Sequence, residues 1–464
     1  MVNIKAIRRP TTVNGLGNLL LLVWAATALS FPAFGQTSPP TQKRFTLDNG
    51  LRVFLLERES VPLVNIVAGV NAGSKDETDE TSGLIHLLEH YILFRGTDFR
   101  SGNEIARDIR NHGAIFNAHT GQDAAYFEIS LPAEHFEFGL KNHKEILFRL
   151  KIGEAELESE KEVIREEIKQ IEDDPFRLGQ ALVYQNLLAG HPYGRPIYGV
   201  SERLEKLSAQ DVEHFYKRLF VPNNTVIAVV GNLPVSEMET RVREVFSDVP
   251  RGPEPPPPPE LARPLPETLE IERELDVEEA YLLIGTLAPD YNDPGQYAAD
   301  VLTQILGQGI HPMMTVALKS GGRAGINSAH MTYIALKRAG AFVAYLTLEP
   351  KGLPTAKRET IAFLKRVRKE NFSPSDVLIE ERASVFDYLQ SAKNKIIFIG
   401  QKGWESGLGL ASSMAAHMLL TDAEAGIDYL NRIAAVRSDD LREAADSAFN
   451  RDAYVIVSIV PRKK

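Results

Sequence analysis

Apolar residues along this chain fall into runs of distinct period. Val61 to Val70, Thr225 to Val230 and Tyr281 to Leu287 are short and rich in β-branched residues, which predicts strands. Ser208 to Phe220 opens on a capping serine, which predicts a helix. Gly83 to Thr97, GLIHLLEHYILFRGT, follows neither pattern. Leu84, Ile85, Leu87, Leu88, Ile92, Leu93 and Phe94 leave it no polar side, and a helix apolar all round is a buried one. Gly96-Thr97 is the expected stop.

That buried stretch also carries His86, Glu89 and His90, an HxxEH arrangement. Residues three and four apart share a helix face, so the three project together. Stripping such groups of water is costly without partners. Two imidazoles one turn apart can chelate a single Zn²⁺, and a carboxylate between them can act as general base. HxxEH is the inverted spelling of the commoner zinc-protease motif. The competing reading is a pair of satisfied core histidines beside a salt-bridged glutamate.

Other elements follow in order. Residues 36–43 are a polar, Pro-containing stretch expected to be a flexible leader. Phe45 to Phe54 reads as a hairpin turning at Asn49-Gly50. Asn103 to His112 predicts a second helix, then strands over 114–119 and 124–131, then helices to about residue 190. His191 to Pro196 is turn-rich. Residues 251–265 hold five consecutive prolines, stiff and extended, and mark a linker; SH3-like recognition is the alternative use of such a run. The chain then repeats weakly: Asp211, Val212, Phe220, Val226 and Ile227 recur as Asp440, Leu441, Phe449, Val455 and Ile456, each offset by 229 residues. This predicts an α+β fold of two homologous α/β-roll domains, each an antiparallel sheet packed with helices. The expected limits are 44–250 for the N-terminal domain and 266–464 for a C-terminal one without a metal site, because its helix Tyr297 to Leu306 has no histidine.

A length of 464 residues also calls for more than one domain. The formal charge of −10, with no basic block, argues against nucleic acid as a partner. Lys5, Arg8 and Arg9 precede an apolar run from Leu16 to Phe34, and small residues flank Phe34. Residues 1–35 therefore read as a signal peptide, with a retained anchor as the alternative. Its removal takes three basic and no acidic residues, so the charge passes from −10 to −13. The exported chain is expected in the periplasm or outside the cell, with no membrane span after cleavage. It has no cysteine, so zinc must be held by His and carboxylates.

Two histidines leave a catalytic zinc one protein ligand short. Glu156 to Asp174 predicts a helix whose apolar face is Val163, Ile164, Ile168 and Ile171, and Glu160 and Glu167 fall on that face. Glu167 is the expected third ligand and Glu160 a group orienting a ligand or a neighbour; pairing of both with Arg or Lys is the competing reading.

HLLEH, a glutamate 77 positions after His90 in EKEVIREEI, LEHYILFRGT, the Gly113 to Thr120 strand and HPYGRPIYG together resemble the pitrilysin (insulinase-type) zinc metallopeptidases over about residues 40–462. That resemblance implies ligands His86, His90 and Glu167, one zinc per chain, Glu89 as base, and an edge strand at Phe116, Asn117 and Ala118 that pairs with an extended peptide. It implies a zinc metalloendopeptidase acting on extended or unfolded peptides. The sequence departs from the family in its second half. Active members carry an Arg and a Tyr that hold the substrate carbonyl; here Asn327 stands for the Tyr, and Ser320 or Lys319 for the Arg. The chain thus resembles the zinc-bearing subunit of a heterodimer whose partner lacks HxxEH and supplies Arg/Tyr, with a homodimer as the other arrangement. Gly307 to Gly325 is expected either to be a substrate-binding loop or to have drifted. A non-catalytic zinc-binding or structural subunit is the rival function.

Overall fold

The computed structural model describes residues 41–462 apart from 60, 310, 320–323, 371, 373–374, 380–381, 422 and 452. The expected signal peptide, the leader up to residue 40, and Ser320 lie outside the described residues. Residues 41–464 form one compact unit. The first sheet holds β1 (Gln42–Thr46), β2 (Arg52–Glu57), β3 (Leu63–Val70), β4 (Ile115–Thr120), β5 (Ala125–Pro132) and β6 (Thr225–Gly231), in the order β1-β2-β6-β3-β5-β4. The second holds β7 (Leu269–Leu275), β8 (Ala280–Ala288), β9 (Ile326–Leu336), β10 (Ala339–Leu348) and β13 (Val455–Pro461), in the order β7-β13-β8-β10-β9. A hairpin of β11 (Ser375–Ile379) and β12 (Arg382–Phe386) stands apart.

Remove β1, and the two sheets have one topology. β2-β6-β3-β5-β4 corresponds strand for strand to β7-β13-β8-β10-β9. The weak repeat in the sequence is therefore a duplicated fold. The sheets are not purely antiparallel, as expected from sequence, but mixed: β2 runs parallel to β6, and β7 to β13. Those partners lie far apart in sequence, which leaves ample chain for the crossover that parallel pairing requires. β1 starts at Gln42, inside the expected leader, because it pairs residue for residue with β2 from Gln42↔Leu56 onward.

The halves exchange helices. Helix Gly407–Leu420, from the second half, lays Ala411, Met414, Ala415 and Met418 on Phe54, Val67, Val226 and Ala228 of the first sheet. Helix Pro175–Leu187, from the first half, lays Val183 and Leu187 on Leu283, Val343, Val455 and Val457 of the second. Each sheet carries its own helices on the other face. Central strands are thus buried on both sides, which is why β6 reads as an unbroken apolar run, whereas β5 alternates.

The Pro-rich segment has no regular secondary structure but is tied down at both ends. Asn223 donates to the Pro253 carbonyl (2.8 Å), Arg338 to that of Pro259 (2.9 Å), and Ala262 N–H to that of Arg338 (3.1 Å). Among the described residues, no helix is long and apolar enough to cross a membrane.

Candidate metal centre

The histidine helix spans Leu84–Phe94, and every residue from Leu84 to Ile92 is buried. Its start is fixed by a tight contact. Gly83 and Gly199 both take left-handed backbones (φ +93° and +76°), and a Cβ on Gly199 would lie 2.5 Å from the Gly83 Cα. The HPYGRPIYG loop is thereby pressed on the helix N-terminus, and it brings the Tyr198 ring edge-on to His86, centroids 4.8 Å apart. Buried Glu77 accepts from the Gly83 and Ile85 N–H groups (3.0 and 2.8 Å), two donors that have no partner within the helix. The helix ends without the left-handed glycine expected at Gly96. Arg95 is extended instead, and Gly96 is needed because a Cβ there would meet the Arg100 carbonyl at 2.8 Å. Phe94, expected inside, is 59% exposed, since it sits at the last turn, past the packed face.

His86, Glu89 and His90 are only 6%, 9% and 8% exposed. Helix Glu154–Asp173 packs against them and delivers two glutamates. Its buried positions are Leu157, Glu160, Lys161, Ile164 and Ile168, with Glu167 half-exposed. Val163, expected on that face, is 46% exposed. It lies about 100° around the helix from Ile164, at the flank of the stripe. Lys161 takes the inner position, where its ammonium meets the Leu207 carbonyl at 2.5 Å.

Glu167 Oε2 lies 3.6 Å from His86 Nε2 and 3.5 Å from His90 Nε2. One ligand atom from each of the three falls within 4.8 Å of the other two. The two glutamate–histidine gaps are longer than a hydrogen bond. They match the roughly 3.3–3.6 Å that separates ligand atoms around a tetrahedral ion with bonds of about 2.0–2.2 Å. The donor set, two imidazoles and a carboxylate, fits zinc, and no Lys or Arg neutralises Glu167 among the described ion pairs.

The competing reading, a basic partner for the glutamates, holds for Glu160 alone. Its Oε1 meets Arg95 Nη2 at 2.5 Å, while its Oε2 lies 3.4 Å from His90 Nδ1. Glu160 thus stands behind the His90 ring, on the side away from Glu167. Burial drives the His86 imidazole down to about 3, with neighbouring His90 adding to the effect, so His86 is neutral. At His90 burial acts in the same direction, but Glu160 and Glu167 outweigh it and raise the group overall.

Burial raises the Glu89 carboxyl, against the Thr120 hydroxyl, His90 and His119, which lower it. Thr120 donates a short hydrogen bond to Glu89 Oε2. Thr120 ends β4, the terminal strand of the first sheet, which packs beside the histidine helix. On β4, Phe116 is half-buried, Asn117 exposed and Ala118 buried. Sequence reasoning missed Thr120, although it shares the inward face of Ala118 by strand parity. It also missed Glu77, Arg95 and Tyr198, whose roles depend on loop paths with no periodic signal.

In the second half, Asn327 is on β9, exposed and hydrogen-bonded to the Glu279 carboxylate. Lys319 is exposed at the end of helix Met313–Lys319. The stretch expected as a glycine-rich loop is helical over Gln304–Gln308 and again over Met313–Lys319. Gly307 serves there as a spacer, since a Cβ would meet the Met331 N at 2.0 Å.

Residues 52–201 match the family model described as "Insulinase (Peptidase family M16)", and residues 206–381 match "Peptidase M16 inactive domain". A Bacillus subtilis (strain 168) protein named "Uncharacterized zinc protease YmxG" is 28% identical over 329 residues, 70% of this chain and 78% of that protein. An Arabidopsis thaliana protein named "Probable mitochondrial-processing peptidase subunit beta, mitochondrial" is 26% identical over 216 residues, 47% of this chain and 40% of that protein. The crystal structure of a protease from Helicobacter pylori shares the fold at a TM-score of 0.81 and 20% identity, covering 91% of this chain and 100% of that one. The two family models run almost end to end along well over half of the sequence, and the chain belongs to the insulinase (M16) family of peptidases.

Proposed function

We propose that this chain is the zinc-bearing subunit of a metalloendopeptidase that hydrolyses extended or unfolded peptides. The observation that carries the reading is the convergence of His86, His90 and Glu167 within 4.8 Å, with Glu89 on the same helix face and no Lys or Arg paired with Glu167 among the described ion pairs. In this reading one zinc is bound per chain by those three residues, and it supplies Lewis acidity that eases deprotonation of water and polarises a peptide carbonyl. Glu89 takes the proton from the attacking water and passes it to the leaving amine. Burial raises its carboxyl and so makes it a stronger base, and the Thr120 hydroxyl holds its carboxylate in one orientation. Glu160, anchored by Arg95, steadies the His90 ring from behind. A peptide strand adds to the open edge of β4, beside Phe116, Asn117 and Ala118.

Oxyanion stabilisation is the part this chain does not supply in full. Asn327 offers no phenol and is turned to Glu279. We assign the missing Arg/Tyr pair to a homologous partner without HxxEH, in a heterodimer; a homodimer is the other arrangement. A relative named as one subunit of a processing peptidase supports this division of labour. We also propose that the chain is exported to the periplasm or outside the cell; Lys5, Arg8 and Arg9 ahead of the apolar run Leu16 to Phe34 support this reading. The second reading, a non-catalytic zinc-binding or structural subunit, draws on the same absence at Asn327. Glu89→Gln separates the two. Metal should stay bound while hydrolysis of an unstructured peptide falls by three orders of magnitude or so. Hydrolysis unchanged by Glu89→Gln refutes the mechanism, and no hydrolysis by wild type with any partner supports the second reading.

A further inference from the structure

Within the second half lies a cavity of about 410 Å³, walled by Tyr291, Tyr333, Tyr429 and Trp404, with Asp300 and His417 in its lining. None of its residues belongs to the metal centre. Among the described residues, Asp300 is the only carboxylate in the lining, and no Lys or Arg joins it there. Its one hydrogen-bond partner among the described residues is a neutral donor, the Tyr429 hydroxyl at 2.8 Å. The other phenols are engaged elsewhere: Tyr333 donates to the Pro289 carbonyl (2.7 Å), and Tyr291 Oη lies 2.6 Å from His417 Nδ1. Rings, rather than free hydroxyls, therefore form much of the wall.

We propose that this cavity binds an organic cation, an ammonium or guanidinium group on a small apolar frame, with Asp300 as its counter-ion and the aromatic rings as its walls. Three features support this. A half-buried carboxylate with only a neutral partner is poorly compensated, and an incoming cation would compensate it. Aromatic rings attract a cation through their quadrupole while covering its apolar substituents. Burial, reinforced by the Asp300 charge, keeps the Tyr429 and Tyr333 hydroxyls protonated, so no second anion competes for the ligand. Burial also raises Asp300 itself, to about 6, which leaves it mostly ionised at pH 7.5. The same chemistry can arrive as a free amine or as a basic side chain of a polypeptide.

Trp404 is one of two tryptophans in the full chain, so its fluorescence reports on the wall directly. The full chain is titrated with choline, with its uncharged isostere 3,3-dimethylbutan-1-ol, and with a short peptide holding one lysine or norleucine in its place. Calorimetry runs in parallel. Saturable binding of choline or of the lysine peptide, and of neither neutral counterpart, is expected. Choline alone identifies a small-amine site, and the lysine peptide alone a polypeptide site. Asp300→Asn should weaken binding about tenfold or more. Tyr429→Phe removes only the neutral donor and should leave binding equal or tighter. If Asp300→Asn does not fold, Trp404→Leu replaces it, read by calorimetry, with a several-fold loss expected. Equal binding of charged and neutral probes, unchanged binding in Asp300→Asn, or no saturable binding to tens of millimolar overturns the proposal.

Discussion

Glu160 touches His90 and Arg95 at once, so one substitution tests its role. Glu160→Gln should lower zinc affinity roughly 10–100-fold, measured by competition with a chelator, and leave the far-UV spectrum unchanged. Glu77 offers a test by pH. Burial pushes its carboxyl from 4.5 up to about 8, against the pull of the Ile85 and Gly83 N–H groups. The folded state therefore holds a proton that the unfolded chain releases above its ordinary value. Stability from this group is present at low pH and is lost as pH rises toward 8, a change on the order of a few kcal/mol. Glu77→Gln cannot titrate, so its denaturant midpoint should vary less than wild type between about pH 4.5 and 8; an equal slope contradicts the assignment. At this scale His86, Glu89, His90 and Glu167 were legible in the sequence because ionisable groups break an apolar pattern. Glu77 and Tyr198 were not, because each reaches the site through a loop path that leaves no periodic trace.

The helix Glu154–Asp173 shows how far periodicity reaches among elements. Glu160 is buried as the apolar stripe predicts, whereas Glu167 lies half-exposed beside His86 and His90. Periodicity misplaced Val163, because a stripe read from apolar residues alone was offset from the true one, which is completed by Leu157 and the aliphatic stem of Lys161. The sheets were legible as strands but not as mixed sheets, since strand direction depends on pairings far apart in sequence. A peptide that adds to the free edge of β4 relies on backbone N–H groups. A competitor peptide methylated at alternate backbone nitrogens should lose inhibition about tenfold or more, relative to the same peptide unmethylated. Equal inhibition by both places the substrate elsewhere.

Exchange of helices ties the two halves into one body. Apolar side chains pack the seam of Met414 and Ala415 on Val226 and Ala228, and that of Val183 on Leu283 and Val455, while Ser412 bonded to Glu128 and Arg52 bonded to the Met418 carbonyl add polar ties across the first. Cutting an engineered protease site within residues 255–258 should therefore leave both fragments eluting together from a sizing column without denaturant, whereas separation of the fragments would contradict this account. The duplication was visible in the sequence as the offset of 229 residues; the exchange was not, because apolar helix faces do not say which sheet they cover. His86, His90 and Glu167 all belong to the first half, and Asn327 of the second half is exposed and bonded to Glu279. The central claim remains the zinc site, and metal analysis of the purified chain after dialysis tests it most directly. We predict about one zinc per chain in wild type and in Glu89→Gln, and less than about a tenth of that in Glu167→Gln. Full zinc occupancy in Glu167→Gln, or none in wild type, would contradict it.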